Sequence, residues 1–412
     1  MWRGNRREDA IVLDLQGERP ARAAGRRGAC SGTAHRRRSD SSGPGAPRCT
    51  VAPRRTIAMR TVIRGTGMYV PPHPVDNHRM ARVMDTSHEW IVQRTGIVTR
   101  HFAPPGTATS DLAVPAARAA LDDAGLEPDA VDYVVFATMT PDYYFPGSAP
   151  YFQRKLGLRD VPCLDIRQQC AGFIYGLQLA DALIRSGQRR NVLLVGAEVH
   201  GGFMPWKCWD VLIDGADREV PAEEYEWNTR FRDRTVLFGD GAGAFVLAGE
   251  PRGEKDDRGL IDVLVYTRGE LAEKLHTPAG GSAFRPYFSA DMERTGAIVP
   301  IVEGREVYKI AVTLMPQIVE EILARNGMTT ADLDLVVMHQ ANLRINEAVQ
   351  RRLGLPDEKV FNNIQRYGNT TAATIPMAFH EARQAGLAKP GDLVCFVGLG
   401  SGLNWGAVLY RC

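Results

Sequence analysis

The stretch CLDIRQQCAGFIYGLQLADALIRSGQRRNVLLVG, residues 163–196, decides the fold. It begins as an apolar strand end, turns at Arg167-Gln-Gln169, and enters a helix at Cys170. Apolar positions recur at helical spacing over 172–186, Gly187 stops the run, and 191–196 reads as a buried strand. Apolar strands alternating with amphipathic helices predict an α/β architecture with largely buried sheets.

The same rhythm extends in both directions. Residues 113–124 predict a helix closed by Gly125, and 131–138 (VDYVVFAT) predict a buried strand. Residues 236–247 place a Gly-rich turn, Gly239-Asp-Gly-Ala-Gly243, between apolar segments. Further on, 307–326 predict a strong helix, and 335–338 and 393–397 predict strands. The polar run 250–259 (EPRGEKDDRG) reads as a linker. Strand–helix series on both sides of it predict two similar halves, 59–250 and 251–412, packed together. Residues 200–234 break the pattern with Phe203, Trp206, Trp209, Tyr225, Trp227 and Phe231 among many charges. An excursion of this length is either functional or variable surface.

The chain has 412 residues and a net charge of +2. Ordinary apolar and charged fractions exclude a wholly disordered or collagen-like chain. No run of about 18 apolar residues occurs, which excludes a helical membrane span and predicts no membrane partner. The charge is split: residues 1–58 hold thirteen Arg against five acids and carry +8, leaving −6 on the rest. That tail is rich in Ala, Gly, Ser and Pro and is expected to be disordered. It is open to reading as an arm for an acidic surface, a transit peptide, or an extension without function, with Met59 opening the folded part. A secretory signal fits poorly, because no adequate apolar core follows the first arginines. With no aromatics interleaved except Trp2, no nucleic-acid partner is expected.

Seven cysteines (30, 49, 163, 170, 208, 395 and 412) show neither CxxC nor Cys/His metal spacing. The pattern predicts a reducing cytoplasm and no metal site. Cys170 stands out by context. At a helix N-terminus it meets unpaired backbone N–H groups and the positive end of the dipole, which favour thiolate and nucleophilicity. His339 follows the strand 335–338, at a strand end where α/β folds place ligands. Gly368-Asn369 offers an unusual backbone angle and an amide donor. Residues 398–406 (GLGSGLNWG) read as a Gly-rich loop whose backbone N–H groups suit an oxyanion.

Six motifs in this order resemble those of the ketoacyl-ACP synthase III family, which has the thiolase fold. They are Glu89-Trp-Ile-Val-Gln-Arg-Thr-Gly-Ile97, Cys170-Ala-Gly-Phe173, Phe238-Gly-Asp-Gly-Ala-Gly243, His339-Gln-Ala-Asn342, Gly368-Asn369 and Trp405-Gly406. The resemblance spans 59–412. It implies a decarboxylative condensation, giving 3-oxoacyl-ACP and CO2 in fatty-acid or related biosynthesis. Cys170 would take an acyl group from acyl-CoA, acetyl-CoA being the family default. His339 and Asn369 would donate N–H to the malonyl-ACP carbonyl. The N–H groups of Cys170 and of Ser401, in the Gly400–Gly402 turn, would hold the tetrahedral oxyanion.

The resemblance also implies a CoA site at Trp90 and Arg94, carrier-protein docking at Gln340 and Arg344, and an acyl-pocket role for Phe145 across a homodimer. No cofactor is implied, CoA being part of the substrate. Met139 stands where hydroxymethylglutaryl-CoA synthases carry a Glu base, which favours decarboxylation. Arg167, Gln168 and Gln169 replace small residues common in the family. The long 200–234 segment is expected to lid the pocket or widen the dimer interface. These departures leave open a specialised acyltransferase or a long-chain condensing enzyme of secondary metabolism.

Overall fold

Two five-stranded mixed sheets carry the fold in the computed structural model, which describes residues 59–253 and 257–412. The expectations for residues 1–58 lie outside the described residues. The first sheet holds β1 (Met59–Tyr69), β2 (Tyr133–Ala137), β3 (Cys163–Ile166), β4 (Asn191–Glu198) and β5 (Gly241–Pro251), in the order β1-β5-β4-β2-β3. The second holds β6 (Gly259–Thr267), β7 (Leu335–Met338), β8 (Val360–Phe361), β9 (Leu393–Gly400) and β10 (Asn404–Arg411), in the order β6-β10-β9-β7-β8. Each sheet runs its first strand antiparallel to its last and keeps three neighbouring strands parallel. The two halves therefore share one topology.

Seven helices position the site: α1 (His88–Thr95), α2 (Thr109–Ala124), α3 (Ala149–Leu156), α4 (Gly172–Arg185), α5 (Gly304–Arg325), α6 (Leu343–Leu353) and α7 (Thr374–Gln384). The apolar stripe of α2, including Leu112, Ala116, Ala120 and Ala124, packs with α3 on the outer face of the first sheet. Gly125, at φ 61°, ends α2 in the left-handed conformation glycine adopts freely. Helices α5 and α6 cover the second sheet in the same way.

Helices α4 and α7 fill the layer between the sheets, which completes an αβαβα stack. α4 suits that place because Phe173, Ile174, Leu177, Ala180 and Ile184 are all buried. Rings from both halves meet there edge to face: Phe173–Phe245 at 4.8 Å, Phe245–Phe379 at 5.5 Å and Phe379–Phe396 at 4.9 Å between centroids. Truncating one such ring to alanine costs about 3–5 kcal/mol, so this layer ties the halves into one unit.

Three expectations are corrected. Gly241 and Gly243 lie within β5 and not in a turn, where a Cβ on Gly243 would meet Pro376 at 2.8 Å. These glycines let the start of α7 approach the sheet. The expected loop 398–406 is a tight hairpin joining β9 to β10. Part of the 200–234 aromatic set is core: Trp206 and Phe231 are buried, and Trp206 packs on Phe102 and Trp209 in a cluster with Met80, Val83, Ile91 and Val211. Gly202 and Phe203 are its only residues on the main cavity.

Candidate active site

The parallel strands of both sheets end at one cavity of about 720 Å³. Met139 after β2, Arg167 after β3, Val199 after β4, His339 after β7 and Ser401 after β9 all line it. Ligand sites of α/β sheets form at such carboxyl ends. Cys170, Asn369 and Asn342 line the same space, so residues far apart in sequence converge there.

Cys170 sits in the short 3-10 turn Gln169–Ala171, just before α4. Gln169 adopts φ 50°, the left-handed region uncommon for a side chain of this kind, and so forces a sharp bend ahead of Cys170. The expected thiolate is not the resting state. Burial, reinforced by the charge of Glu198 and only partly offset by the residue's own backbone N–H, pushes the thiol up to about 12. Desolvation outweighs the helix terminus because it penalises the charged form directly. Alkylation of Cys170 by iodoacetamide is therefore expected to rise about tenfold per pH unit between pH 7 and 9. A plateau near pH 7 in the mass-resolved rate would contradict this.

His339 is fixed through its backbone N–H, which donates to Val397 O at 2.8 Å, and through Nδ1, which is 2.7 Å from Thr374 Oγ1. Nε2 is left as the ring nitrogen available to the cavity. Burial pushes this imidazole down to about 3, so it is neutral at physiological pH. Asn369 is held by its N–H to Leu237 O at 2.8 Å, and its own carbonyl accepts from Gly239 N at 3.2 Å. This bridge is the task of the Phe238-Gly239 motif. Gly368 makes the bend possible at φ 65°, ψ −161°, a region essentially restricted to glycine. The side-chain Oδ1 of Asn369 accepts from Thr371 N at 2.9 Å, which leaves the amide nitrogen as the group to offer a ligand. The hairpin turn reaches Cys170: a Cβ on Gly400 would lie 2.8 Å from Cys170 N. The backbone of Cys170 and that of Ser401 thus share one end of the cavity.

The chain has relatives that match it over most of its length. The beta-ketoacyl-[acyl-carrier-protein] synthase III of Cereibacter sphaeroides is 40% identical over 357 residues, 86% of this chain and 100% of that one.

The chain belongs to the beta-ketoacyl-ACP synthase III family.

The synthase III of Nitratidesulfovibrio vulgaris is 42% identical, over 85% of this chain and 98% of its own. Family models described as 3-oxoacyl-[acyl-carrier-protein (ACP)] synthase III match residues 164–269 and, for the C-terminal part, 323–412. The thiolase N-terminal domain matches 91–201. The crystal structure of the Aquifex aeolicus synthase III superposes with a TM-score of 0.71 at 38% identity, covering 85% of this chain and all of that one.

The remaining residues suggested by the family resemblance lie outside this cluster or are otherwise engaged. Trp90 and Arg94 do not line the cavity, but Asn342, which does, donates to Arg94 O at 3.1 Å. The Arg94 guanidinium lies 4.3 Å from the Trp90 ring centroid. Gln340 presents no docking surface. It is buried, and its amide donates to Met338 O and accepts from Asn363 N and Ile364 N. Arg344 is spent on the C-terminal carbonyls of α1, Val92 O at 3.0 Å and Gln93 O at 3.1 Å, and on Glu347. It locks α1 to α6, a capping task. Phe145 is 87% exposed and does not line this chain's own cavity.

Reading the sequence missed two groups. Arg232, inside the long excursion, brings a second guanidinium 5.2 Å from the Trp90 ring. Glu198, a buried carboxylate ending β4, accepts from Thr138 Oγ1, Met139 N, Thr140 N, Thr140 Oγ1 and Ala372 N. A carboxylate closing an apolar strand was the only available signal for Glu198.

Proposed function

We propose that this enzyme of the synthase III family condenses an acyl-CoA primer with malonyl-ACP through an acyl-Cys170 intermediate, releasing CO2 and 3-oxoacyl-ACP. The convergence of Cys170, His339 and Asn369 on one cavity carries this reading. Cys170 Sγ attacks the thioester carbonyl, and the backbone N–H groups of Cys170 and Ser401 hold the oxyanion. A thiol raised by burial must lose its proton as it attacks, and that proton leaves with the departing CoA sulfur. Neutral His339 and the free amide nitrogen of Asn369, which line the same cavity, donate N–H to the malonyl thioester oxygen as the enolate forms.

Decarboxylation is favoured because no carboxylate base stands free. Among the described residues, Asp142 is the one carboxylate lining the cavity, and it accepts from Ser110 N, Ser110 Oγ and Ser148 Oγ. Glu198 is equally occupied. The carbon nucleophile then comes from CO2 loss, not from proton abstraction. No resident cofactor enters these steps. Mass spectrometry with an acyl-CoA panel, followed by malonyl-ACP, tests the scheme. Absence of both the protein adduct and 3-oxoacyl-ACP would sink it.

CoA is assigned to the Trp90, Arg94 and Arg232 cluster, whose indole and guanidinium planes suit an adenine and its phosphates. Loss of affinity for acyl-CoA in Trp90→Ala checks this; an unchanged KM would refute it. A homodimer is supported by the edge strand β3, with Leu164 exposed, and by the exposed Tyr143, Tyr144 and Phe145 beside it. Light scattering is expected to give twice the chain mass, and a monomer at micromolar concentration would refute it. The cysteines at 163, 170, 208, 395 and 412 are free thiols, which suits a reducing cytoplasm. Recovery of the enzyme in a periplasmic fraction would exclude that placement.

A further inference from the structure

We propose that Arg167 is a specificity-determining residue that selects acyl-CoA primers with a second carboxylate at the far end of the acyl chain, the monothioesters of short dicarboxylic acids. The inference rests on the condensation reading and names the acyl group that Cys170 takes.

Arg167 directly follows β3 and lines the cavity three residues before Cys170. Among the described residues it is the one lysine or arginine that does so. Its guanidinium makes no hydrogen bond and no ion pair with them, and its ring neighbour is Tyr144, with the centroid 5.9 Å away. The acids nearby are committed elsewhere. Asp142, the cavity carboxylate, accepts from Ser110 N, Ser110 Oγ and Ser148 Oγ, with Lys155 Nζ 3.9 Å away. Asp165, on β3, feels the Arg167 charge, but its oxygens accept from Ser148 N and Ala149 N. A cationic fork is thus left at the cavity without an anion, and its planar geometry matches a carboxylate at two points.

The position suits the far end of an acyl group and not CoA. Asn342 ties the cavity to the Trp90 and Arg94 cluster by donating to Arg94 O at 3.1 Å. Arg94 and Arg232 already supply cations there. Arg167 belongs to a different group. Its neighbour Tyr144 meets the Phe288 ring at 5.9 Å between centroids, and both rings line the cavity. A thioester with CoA on the Asn342 side and its carbonyl at Cys170 then directs its acyl chain to the Arg167 side.

Much of the remaining wall is apolar, Met139, Val199, Phe203 and Phe238 among it. Such walls suit methylene groups and exclude an unpaired carboxylate, whose burial is costly. Arg167 is itself exposed. A carboxylate paired with it stays partly hydrated, so the desolvation cost is small and the attraction is sensitive to salt. The chemistry at Cys170 is unchanged. The Sγ–acyl bond forms as the bond to the CoA sulfur breaks, and the thiol proton leaves with that sulfur. The distal carboxylate keeps its charge, and condensation gives CO2 and a 3-oxoacyl-ACP that ends in a carboxylate.

Because β3 is the edge strand proposed for the homodimer, a carboxylate of a second copy is the rival occupant. The test compares CoA thioesters of equal chain length on the full-length enzyme: glutaryl with pentanoyl, and adipyl with hexanoyl, with acetyl as reference. Intact-mass spectrometry reads the second-order rate of adduct formation on Cys170. In at least one pair the dicarboxylic member is expected to react about tenfold faster or more at low salt, and the ratio is expected to shrink at about 0.5 M salt. Arg167→Ala is expected to lower that ratio by about tenfold or more, and Arg167→Lys to keep part of it. Equal rates, or faster reaction of the unsubstituted member, in both pairs overturn the proposal, and this comparison needs no variant. A preference that survives in Arg167→Ala overturns it as well. So does an Arg167→Ala variant that loses both members equally and elutes at half the wild-type mass, since Arg167 then serves the second copy. Adducts with pentanoyl or acetyl but with neither dicarboxylic thioester refute this proposal alone. No adduct with any thioester refutes the condensation reading along with it.

Discussion

Cys170→Ala is expected to form no acyl adduct with any acyl-CoA, and its condensation rate is expected to fall by at least about a thousandfold. The magnitude follows from the site. No other cysteine lines the cavity among the described residues, so no neighbouring thiol substitutes. The substitution removes one sulfur from a buried turn and leaves the Gly400 contact with the residue 170 backbone intact, so the fold is expected to persist. Malonyl-ACP decarboxylation is expected to survive, because Asn369 is held by Leu237, Gly239 and Thr371 and not by Cys170. Intact-mass spectrometry and CO2 release measure the two steps separately. An adduct that forms equally on Cys170→Ala would place the acyl group elsewhere.

Asn369→Ala and His339→Ala are expected to fail at the same step, decarboxylation of malonyl-ACP. Asn369→Ala removes the amide donor at the developing enolate and should lower decarboxylation by about a hundredfold to a thousandfold, while acylation stays near wild type. His339→Ala removes the second N–H donor at the same oxygen and should lower decarboxylation by about a hundredfold or more, with acylation the less affected step. The wild-type decarboxylation rate should also show no inflection near pH 6.5. His339 is depressed to about 3, so its neutral form persists as pH falls through the usual histidine range and is lost only near the depressed value. Equal losses of acylation and decarboxylation in both variants would remove this assignment.

The fold was legible because its signals are local. The run 163–196 declares strand, turn and helix through apolar spacing and Gly187 alone. The repeat of one topology across residue 250 was visible as two series of such units. Glycines were the weak point. Gly241 and Gly243 read as a turn but serve close packing against Pro376 and Met377 within a strand, and a sequence does not say which neighbour a missing Cβ makes room for. The aromatics of 200–234 read as a lid or a dimer-interface surface because charges surround them. Trp206 is core because Met80, Ile91 and Phe102, over a hundred residues earlier, supply its partners.

At the site, residue types and order pointed to Cys170, His339 and Asn369, since each follows a strand end or a special backbone bend that leaves a local trace. The sequence by itself determined the α/β architecture, the two similar halves and the identity of those three side chains. Only the tertiary structure decided their protonation and direction. A helix terminus near Cys170 argued for thiolate, yet desolvation by both halves of the fold raised it. Gln340 and Arg344 looked like surface donors, yet Gln340 is buried against the backbone of Met338, Asn363 and Ile364, and the carbonyls of Val92 and Gln93 claim Arg344. Burial and hydrogen-bond partnership are properties of what surrounds a group, and here those surroundings come from segments up to two hundred and fifty residues away.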